Sequence, residues 1–344
     1  MMQFKKYSSI ENTFNKEFLD QIRLEGFEKC EFVVQEKVHG ANVCFMTDGK
    51  TVSFGKRTGL IEQGEKFYDY EILLERYTSK ITSLFFAVKN VLPDIETLKV
   101  YGEMFGGKYP HPDVAHKKNV MLIQKGIHYC PYHEFYAFDL YVAMPENGYY
   151  LTVDMANSFF EQGDFLYAKT LFRGTLDACL QYPNDSLSVI HEWLGLPPIE
   201  DNICEGIVIR PVVPCYLSNG SRVLLKSKNA RFAEKKSVKK RTPQLFVEPS
   251  YSEELNNLLF VTEQYVTENR LNNVISKIGH ISIPSELGKL IGLFSKDILE
   301  DFLKEHSGIY AALEKSEQKI LNRHINSLAS GLIKSVMIYE SPTT

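Results

Sequence analysis

The sequence predicts an α+β protein of mainly antiparallel sheets with helices, followed by a small all-α domain. Short runs rich in β-branched and aromatic residues fill the first part of the chain and mix with helical patterns without strict βαβ alternation. From Tyr251 onward the pattern is helical and nearly strand-free. We therefore expect domains at residues 1–243 and 250–344, joined by a linker near residues 241–249.

The predicted strands are mostly bounded by turn-forming residues. They cover residues 31–35, 42–46, 51–54, 98–102, 135–140, 206–209 and 222–226. Helical patterns are predicted for residues 68–86, 153–181, 295–305 and 314–333. Ser250 and Glu253 fit a capping box, in which hydroxyl and carboxylate each satisfy a free backbone N–H, so we expect a helix to begin there.

Composition limits the class of protein. With 344 residues, 44% hydrophobic and 24% charged, the chain resembles an ordinary globular protein. A net charge of −4 argues against coating of nucleic acid by the whole surface, although a local basic surface stays possible. Scattered cysteines argue against a secreted disulfide framework. Without a signal-like or membrane-spanning run, we expect an intracellular protein, cytoplasmic or viral-encoded.

A lysine lies between an apolar strand end and a glycine turn in Glu36-Lys37-Val38-His39-Gly40. The plain interpretation is a surface lysine in a loop. The alternative is a nucleophile, which needs a free amine although a lysine pKa is ordinarily about 10.4. Neighbouring cations or desolvation free the lone pair. A nucleophilic lysine should therefore have other lysines converging on it.

Two further lysines follow an apolar strand, at Lys226 and Lys228. Alternation along a strand places both side chains on one face. Two ammonium groups on one face repel each other unless an anion lies between them, and a nucleotide phosphate suits that place. The alternative interpretation is a solvated edge strand, where lysines also prevent aggregation.

Two acids and one aromatic residue have suggestive settings. Glu103 follows Gly102 and precedes further glycines, which allow the backbone to approach a ligand closely. Glu205 stands at the start of an apolar strand, where a carboxylate can hold a metal or a ribose hydroxyl. A charged strand end is the simpler reading of each acid, and core packing is the simpler reading of Phe138.

The order of these elements resembles the motif series of covalent nucleotidyltransferases, the superfamily of ATP- and NAD-dependent ligases and mRNA capping enzymes. The lysine motif has histidine at position 39, and in this it resembles the motif of the RNA ligase 2 branch. That branch includes the phage double-strand RNA ligase and the RNA-editing ligases. Residues 102–112 resemble the editing ligases, and residues 271–279 resemble the C-terminal domain of the phage enzyme. The motifs are Lys37-x-His39-Gly40, Lys56–Gly59, Gly102-Glu103, Phe135–Asp139, Glu205-Gly206 and Lys226–Lys228.

This resemblance implies a nucleotidyltransferase (ATP-grasp-like ligase) domain followed by a helical RNA-binding domain. It implies an ATP-dependent RNA ligase that seals 3′-hydroxyl/5′-phosphate nicks, in duplex RNA, during RNA repair or RNA editing. The implied route passes through AMP covalently bound to Lys37 and an adenylylated RNA 5′ end. It requires ATP and Mg²⁺ or Mn²⁺, and RNA carrying 5′-phosphate and 3′-hydroxyl ends. We expect a monomer with no membrane attachment.

The resemblance also implies roles for individual residues. Lys226 and Lys228 would contact the phosphates and hold Lys37 deprotonated, and His39 would help pass AMP to the RNA. The other implied roles are adenine recognition by the backbone at Glu36, ribose binding by Glu103, stacking on adenine by Phe138, organisation of metal and phosphates by Glu205, and phosphate or ribose contacts by Arg57 and Asn42.

Basic residues are concentrated between positions 222 and 241, against one acid, Glu234. Such a stretch can follow a phosphate backbone, although a solvated linker is the simpler interpretation of its end. Residues Arg270 to Lys277 fall on a predicted helix of the second domain. The candidate RNA-binding residues are Arg222, Arg231, Lys235, Lys236, Arg270, Asn272 and Lys277.

Three alternatives stay open. A capping-type guanylyltransferase would use the same lysine with GTP, but it usually has aspartate at the position of His39 and a β-barrel tail. A non-catalytic RNA-binding module would not need the two acids and three lysines together. The histidines and cysteine between His111 and His133 could suggest zinc, but they lack tight paired spacing, so we expect a hydrogen-bonded histidine-rich loop.

Overall fold

The computed structural model describes residues 3–62, 64–235, 251–279, 281 and 285–340, with side chains to residue 336. The chain divides into two compact units, Met1–Arg231 and Phe232–Thr344. The predicted linker at residues 241–249 and the predicted helix cap Ser250 lie outside the described residues. The predicted α+β class with a helical C-terminal region is confirmed.

The described part of the first unit builds two sheets. Its strands are β1 Glu11–Asn12, β2 Phe32–Lys37, β3 Ala41–Thr47, β4 Val52–Lys56, β5 Gly59–Leu60, β6 Thr97–Gly106, β7 His133–Ala143, β8 Gly148–Tyr150, β9 Thr170–Gly174, β10 Gly206–Pro211 and β11 Leu225–Lys228. One sheet has the order β1-β11-β10-β2-β9 and the other β5-β4-β3-β6-β7-β8. Every ladder is antiparallel except the pairing of β1 with β11.

Helices cover one face of each sheet. They are α1 Lys16–Leu24, α2 Tyr70–Val91, α3 Val153–Gln162, α4 Leu176–Leu180 and α5 Ile190–Trp193. The long helix α2 buries Leu73, Tyr77, Ile81, Leu84, Phe85 and Val88. This helical spacing forms an apolar stripe that packs against the six-stranded sheet. On the five-stranded sheet, Phe32 and Val34 of β2 pack with α1 and α4, so alternation turns Gln35 and Lys37 to the uncovered face.

Residues 153–181 differ from the continuous helical pattern predicted for them. Helix α3 ends at Gln162, and Asp164 then adopts a left-handed conformation with φ of 51°. Strand β9 follows and pairs with β2 before α4 begins. The pairing with β2 is a long-range contact, and it overrides the local helical preference of the segment.

The second unit is helical where it is described. Its helices are α6 Glu253–Thr262, α7 Glu268–Ile278, α8 Leu287–Ala312 and α9 Lys315–Glu340. Leucine, isoleucine and phenylalanine side chains of these helices form one core. The cap of α6 is Ser252, whose hydroxyl accepts a hydrogen bond from the Leu255 backbone N–H at 3.1 Å, and this corrects the prediction of Ser250. No helix in the described part of the chain is both long and apolar enough to span a bilayer.

Candidate nucleotide site

Three neighbouring strands bring the predicted nucleophile and one of the predicted lysines into a single row. Lys37 ends β2 and lies opposite Gly206 of β10, which in turn lies opposite Lys228 of β11. A Cβ atom at Gly206, whose φ is 148°, would lie 2.0 Å from the carbonyl oxygen of Ser227. Only glycine therefore fits between the two lysines. Lys226 lies two residues earlier, opposite Val208, on the same face.

A buried carboxylate holds this row together. Glu205 is 1% exposed, and its oxygens lie 2.6 Å from Lys37 Nζ and 3.1 Å from Lys228 Nζ. His39 Nδ1 lies 3.4 Å from the same carboxylate. Burial alone would raise the pKa of Glu205, but Lys37, Lys228 and His39 more than offset this effect and hold the pKa well below its usual range. The surroundings of Lys37 therefore include a buried carboxylate and an imidazole as well as another lysine.

The second wall of the site comes from the six-stranded sheet. Asn42 of β3 lies opposite Glu103 of β6, and the Asn42 side chain hydrogen-bonds to the Glu103 carboxylate. The register between β6 and β7 shifts where Tyr101 pairs with Asp139 and the next β6 residue pairs with Ala137. Phe138 is consequently an extra, bulged residue. A β-bulge re-aims a side chain, and this one places Phe138 and Asp139 on the same side of the sheet.

Between these two walls lies a cavity. Five of the predicted residues line it, namely Glu36, Lys37, Asn42, Glu103 and Phe138. Sequence reasoning missed further lining residues, among them Tyr7, Ile10, Gln35, Tyr136, Val208 and Arg210. Aromatic side chains and convergent charged and amide groups line the cavity together, a combination that is typical of a site for a small polar molecule.

A buried charged cluster lies beside this cavity. Asp139 Oδ2 accepts a hydrogen bond from the Tyr7 hydroxyl at 2.8 Å and pairs with Arg210 Nη1 at 2.9 Å and Arg222 Nη1 at 2.6 Å. The sequence predicted that Arg222 contacts RNA. This prediction is wrong, because Arg222 is 6% exposed and its guanidinium is used inside the protein.

The two sides of Glu36 have different surroundings. Its carbonyl accepts a hydrogen bond from the Tyr136 hydroxyl at 3.3 Å, while its carboxylate accepts from the Ser188 hydroxyl at 2.6 Å and the Val189 backbone N–H at 3.1 Å. Burial raises the pKa of Glu36 to about 7, and the two hydrogen bonds partly oppose it. The expected recognition of adenine by the Glu36 backbone stays a prediction.

Arg57 stands next to the ribose-binding candidate. Its Nη1 donates to the carbonyl oxygen of Tyr7 at 2.9 Å. Burial lowers the pKa of Arg57, while the nearby Glu103 carboxylate raises it. Arg57 thus links the segment that carries Tyr7 to the Glu103 side of the cavity.

The remaining RNA-binding candidates of the basic stretch have mixed settings. Arg231 is exposed, with Nη1 donating to the carbonyl oxygen of Asp201 at 3.1 Å. Lys235 pairs with Glu305 at 2.7 Å and donates to the Tyr265 hydroxyl at 3.0 Å. Lys236 lies outside the described residues.

In the second unit, the candidate RNA-binding residue Arg270 is buried. Arg270 is 2% exposed, and its Nη1 pairs with Asp301 at 2.8 Å and Asp297 at 2.9 Å. Burial would lower the pKa of Arg270, but the carboxylates raise it above its ordinary value. Arg270 therefore stabilises the helical core through these ion pairs, and its buried setting does not support the predicted contact with RNA. Lys277 is exposed and pairs with Asp297 at 2.6 Å, and Asn272 is half-buried.

The histidine-rich segment does not form a metal site. Among the described residues, no group of three or more histidine, cysteine or acidic side chains could hold an ion. His133 is buried with its Nε2 2.6 Å from the Met121 carbonyl oxygen, and burial lowers its pKa. The zinc alternative is therefore not supported in the described part of the chain.

In the absence of nucleotide, replacing Glu103 by glutamine should make the free energy of unfolding less dependent on pH. Burial first, opposed by Lys37, raises the Glu103 pKa from 4.5 to about 7. A raised carboxyl pKa means that the folded state binds more protons, so stability falls as pH rises from about 4.5 to 7. Over this pH range we expect the free energy of unfolding of Glu103→Gln to fall by about 1–3 kcal/mol less than that of wild type.

Urea unfolding at pH 5 and pH 8 would measure this effect. Wild type should lose more stability between the two values than Glu103→Gln, with Glu36 maintaining part of the dependence. Glu71→Gln, at an exposed position of α2, is the matched control and should behave as wild type. Equal losses in wild type and Glu103→Gln would contradict the prediction.

Comparison with known proteins gives the family of this site. Residues 30–228 match the family model described as RNA ligase, and residues 249–330 match the one described as T4 RNA ligase 2 C-terminal. RNA-editing ligase 1, mitochondrial, of Trypanosoma brucei brucei is 28% identical over 88% of this chain and 76% of its own. RNA-editing ligase 2, mitochondrial, of the same organism is 28% identical over 94% and 88%.

Solved structures of a Naegleria gruberi RNA ligase are more distant. A mutant with ATP and Mn aligns with a TM-score of 0.45 and 14% identity. The alignment covers 67% of this chain and 57% of that structure. The form with PPi aligns with a TM-score of 0.42 and 14% identity, over 67% and 58%. The family and its trypanosome relatives agree with the resemblance found in the order of the motifs.

Proposed function

This chain belongs to the RNA ligase family, and we propose that it seals 3′-hydroxyl/5′-phosphate nicks in duplex RNA with ATP, through AMP bound covalently to Lys37. One observation carries the proposal. Lys37 lines the cavity, stands in one row with Lys228, and has its amine 2.6 Å from the Glu205 carboxylate. This arrangement supports the assignment of Lys37 as the nucleophile and Lys228 as a phosphate-binding cation.

In the first proposed step, Lys37 Nζ forms a bond with the α-phosphorus of ATP. The bond from that phosphorus to the pyrophosphate oxygen breaks and pyrophosphate leaves. Lys37 loses one proton to solvent before the attack, which frees its lone pair, and a second proton to solvent when the P–N bond forms. Lys228 and Lys226, on β11 and separated from β2 by β10, stabilise the charge that moves onto the leaving pyrophosphate. The Glu205 carboxylate pairs with Lys37 before ATP binds, so this ion pair must open before the amine attacks.

The adenosine half of ATP has its own set of residues. Phe138, raised by the bulge in β7, offers a ring for stacking, and Val208 lies on the opposing sheet. Glu103 lines the cavity and is hydrogen-bonded by Asn42, which supports its proposed role as the acceptor for the ribose hydroxyls. The half-buried Glu103 binds hydroxyls best as an anion, so nucleotide binding should favour its ionised form.

A divalent metal fits the residues present. Mg²⁺ binds proteins through one or two carboxylates together with substrate phosphates, and Glu205 supplies such a carboxylate beside the phosphate-binding lysines. When bound, the metal would neutralise phosphate charge. Either Mg²⁺ or Mn²⁺ suits this chemistry, and the Naegleria gruberi structure with ATP and Mn is named for the second.

In the later proposed steps, the RNA 5′-phosphate attacks the lysyl-AMP phosphorus and releases Lys37. The 3′-hydroxyl then attacks the activated 5′-phosphate, and AMP leaves. His39 is 8% exposed and its Nδ1 lies 3.4 Å from the Glu205 carboxylate that also pairs with Lys37, which supports a role for its imidazole near the transferred phosphate. We assign His39 to the transfer of AMP.

The biological setting is also a proposal. The trypanosome relatives are named RNA-editing ligases, and we propose RNA editing or RNA repair by a monomer that acts on nicked duplex RNA. Their names also say mitochondrial, so the proposed intracellular setting includes that organelle.

The test is covalent self-labelling. Protein is incubated with α-labelled ATP or GTP and Mg²⁺, denatured, and examined for retained label, with Lys37→Ala beside wild type. The proposal expects label from ATP that disappears in Lys37→Ala. Label from GTP would support a capping-type guanylyltransferase instead. If folded wild-type protein that carries no AMP at the start retains no label, the chain is a non-catalytic RNA-binding module.

A further inference from the structure

The connection between β6 and β7 is far longer than a hairpin requires. It runs from Gly107 to Tyr132, every residue of it is described, and it contains turns and bends but no helix or strand. Hairpin loops usually have about 2–5 residues, and structureless loops beyond about 12–15 residues are usually functional or disordered. The strands that it joins carry Glu103 and Phe138, so the loop begins and ends beside the nucleotide site.

Hydrogen bonds fix this loop to the turn that follows the nucleophile. The Tyr129 hydroxyl accepts from the His39 backbone N–H at 2.9 Å, and Gln124 Nε2 donates to the Gly40 carbonyl oxygen at 3.1 Å. Tyr129 and Gln124 are both buried. An ordered loop of this length, attached directly to the catalytic turn, is placed for function and not for connection alone.

Further contacts hold the loop to its surroundings in the first unit. His128 and Asn202 exchange two hydrogen bonds, of 2.9 Å and 2.7 Å. The Ile123 backbone N–H donates to the Gly106 carbonyl oxygen at 3.2 Å, and Tyr109 donates to the Pro197 carbonyl oxygen. The Tyr109 and Tyr129 hydroxyls and the buried Ile123 and Ile127 of the loop are thus used internally, while its lysine and aspartate side chains are exposed.

Those outward charges are almost all positive. The loop sequence contains a single acid, Asp113, in a protein whose net charge is −4. Its four lysines are all exposed. They are Lys108, Lys117, Lys118 and Lys125. Exposed lysines bind phosphates and release condensed counterions, which is the main source of affinity for nucleic acid.

We propose that the Gly107–Tyr132 loop binds the phosphate backbone of the RNA beside the nick. This inference rests on the proposed ligase function. The RNA 5′-phosphate must reach Lys37 and His39, and neighbouring phosphates must then pass over whatever surface adjoins the catalytic turn. The loop adjoins this turn through Tyr129 and Gln124. An acidic protein would also suit the lysines, but it would have no reason to be held beside the nucleophile.

The test compares two double charge reversals in the full chain. Lys117→Glu with Lys118→Glu changes the loop. Lys29→Glu with Lys50→Glu is the matched control with the same change in net charge. Lys29 is exposed before the start of β2, the end opposite Lys37, and Lys50 is exposed in the turn after β3, the end opposite Ala41.

Binding of a fluorescently labelled nicked RNA duplex is measured over a range of salt concentrations. Each lost phosphate contact reduces the magnitude of the slope of log K against log salt concentration by about 0.9. The slope of the loop variant should therefore be smaller in magnitude by nearly 2. Its affinity should fall about tenfold or more near 0.1 M salt. The control should change about twofold or less, because charges beyond about 10 Å are screened.

A second variant, Lys117→Gln with Lys118→Gln, protects the test against misfolding. It should show the same change in salt slope, with a smaller loss of affinity. Equal affinity and equal slope for the loop variant and the control would overturn the proposal and point to an acidic protein as the ligand. Lysyl-AMP formation uses ATP and no RNA. Its absence in wild type would therefore reject the ligase function separately, while the binding data still report on the loop.

Discussion

Lys37→Arg is expected to abolish lysyl-AMP formation while leaving the fold intact. An arginine side chain keeps the positive charge and can keep an ion pair with the buried Glu205 carboxylate, which now lies 2.6 Å from the lysine amine. A guanidinium stays protonated at any accessible pH and offers no lone pair to phosphorus. We therefore expect a loss of about 10⁴-fold or more in the rate of self-adenylylation.

Intact-mass measurement after incubation with ATP and Mg²⁺ would detect the covalent AMP. The control Lys50→Arg changes an exposed lysine in the turn after β3, and it should be labelled at the wild-type rate. RNA supplied with a 5′-adenylylated end should still be sealed by Lys37→Arg, because the last step does not use the amine of Lys37. Covalent AMP on Lys37→Arg would show that another residue is the nucleophile.

Local patterns were sufficient for the lysines of the site. Alternation along a short strand placed Lys226 and Lys228 on one face, and β11 has this geometry. The ion pair of Lys37 with Glu205 could not be predicted in the same way. It depends on the register of β2 against β10, and Lys37 and Glu205 are 168 positions apart in the sequence. No local pattern contains that register.

The Phe138 side of the candidate site shows a second limit. Strict alternation would have placed Phe138 and Asp139 on opposite faces of β7. The bulge places both on the side of the cavity, and nothing in the local sequence marks it. The buried cluster around Asp139 was missed for the same reason, together with Tyr7, which comes from a segment before the first helix.

Charge counting alone could not separate buried from exposed cations. Arg222 begins the basic stretch and Arg270 lies on a predicted helix, yet both are buried and paired with carboxylates from distant segments. A usable signal existed for Arg270. Asp297 and Asp301 are four residues apart on a predicted helix, so both carboxylates lie on one face and can bind one guanidinium.

Asp139→Asn should be among the most destabilising single changes in the first unit. The substitution keeps a hydrogen-bond acceptor for Tyr7 but removes the charge that faces Arg210 and Arg222, both of which are buried. Removing one partner of a buried ion pair costs about 3–5 kcal/mol, because the remaining charge has lost both water and its counterion. We also expect weaker ATP binding, since Tyr7 and Arg210 line the cavity.

Urea unfolding of the full chain, followed by a probe of the first unit, would measure this loss. Asp20→Asn is the matched control, because Asp20 is 77% exposed and lies 3.8 Å from Arg23, so its loss should stay within about 0.5 kcal/mol. Adding Arg222→Met to Asp139→Asn removes one of the stranded charges. The double variant should therefore be at least about 1 kcal/mol more stable than the sum of the single effects. Strict additivity would mean that Asp139 does not stabilise the fold through its pairing with Arg222.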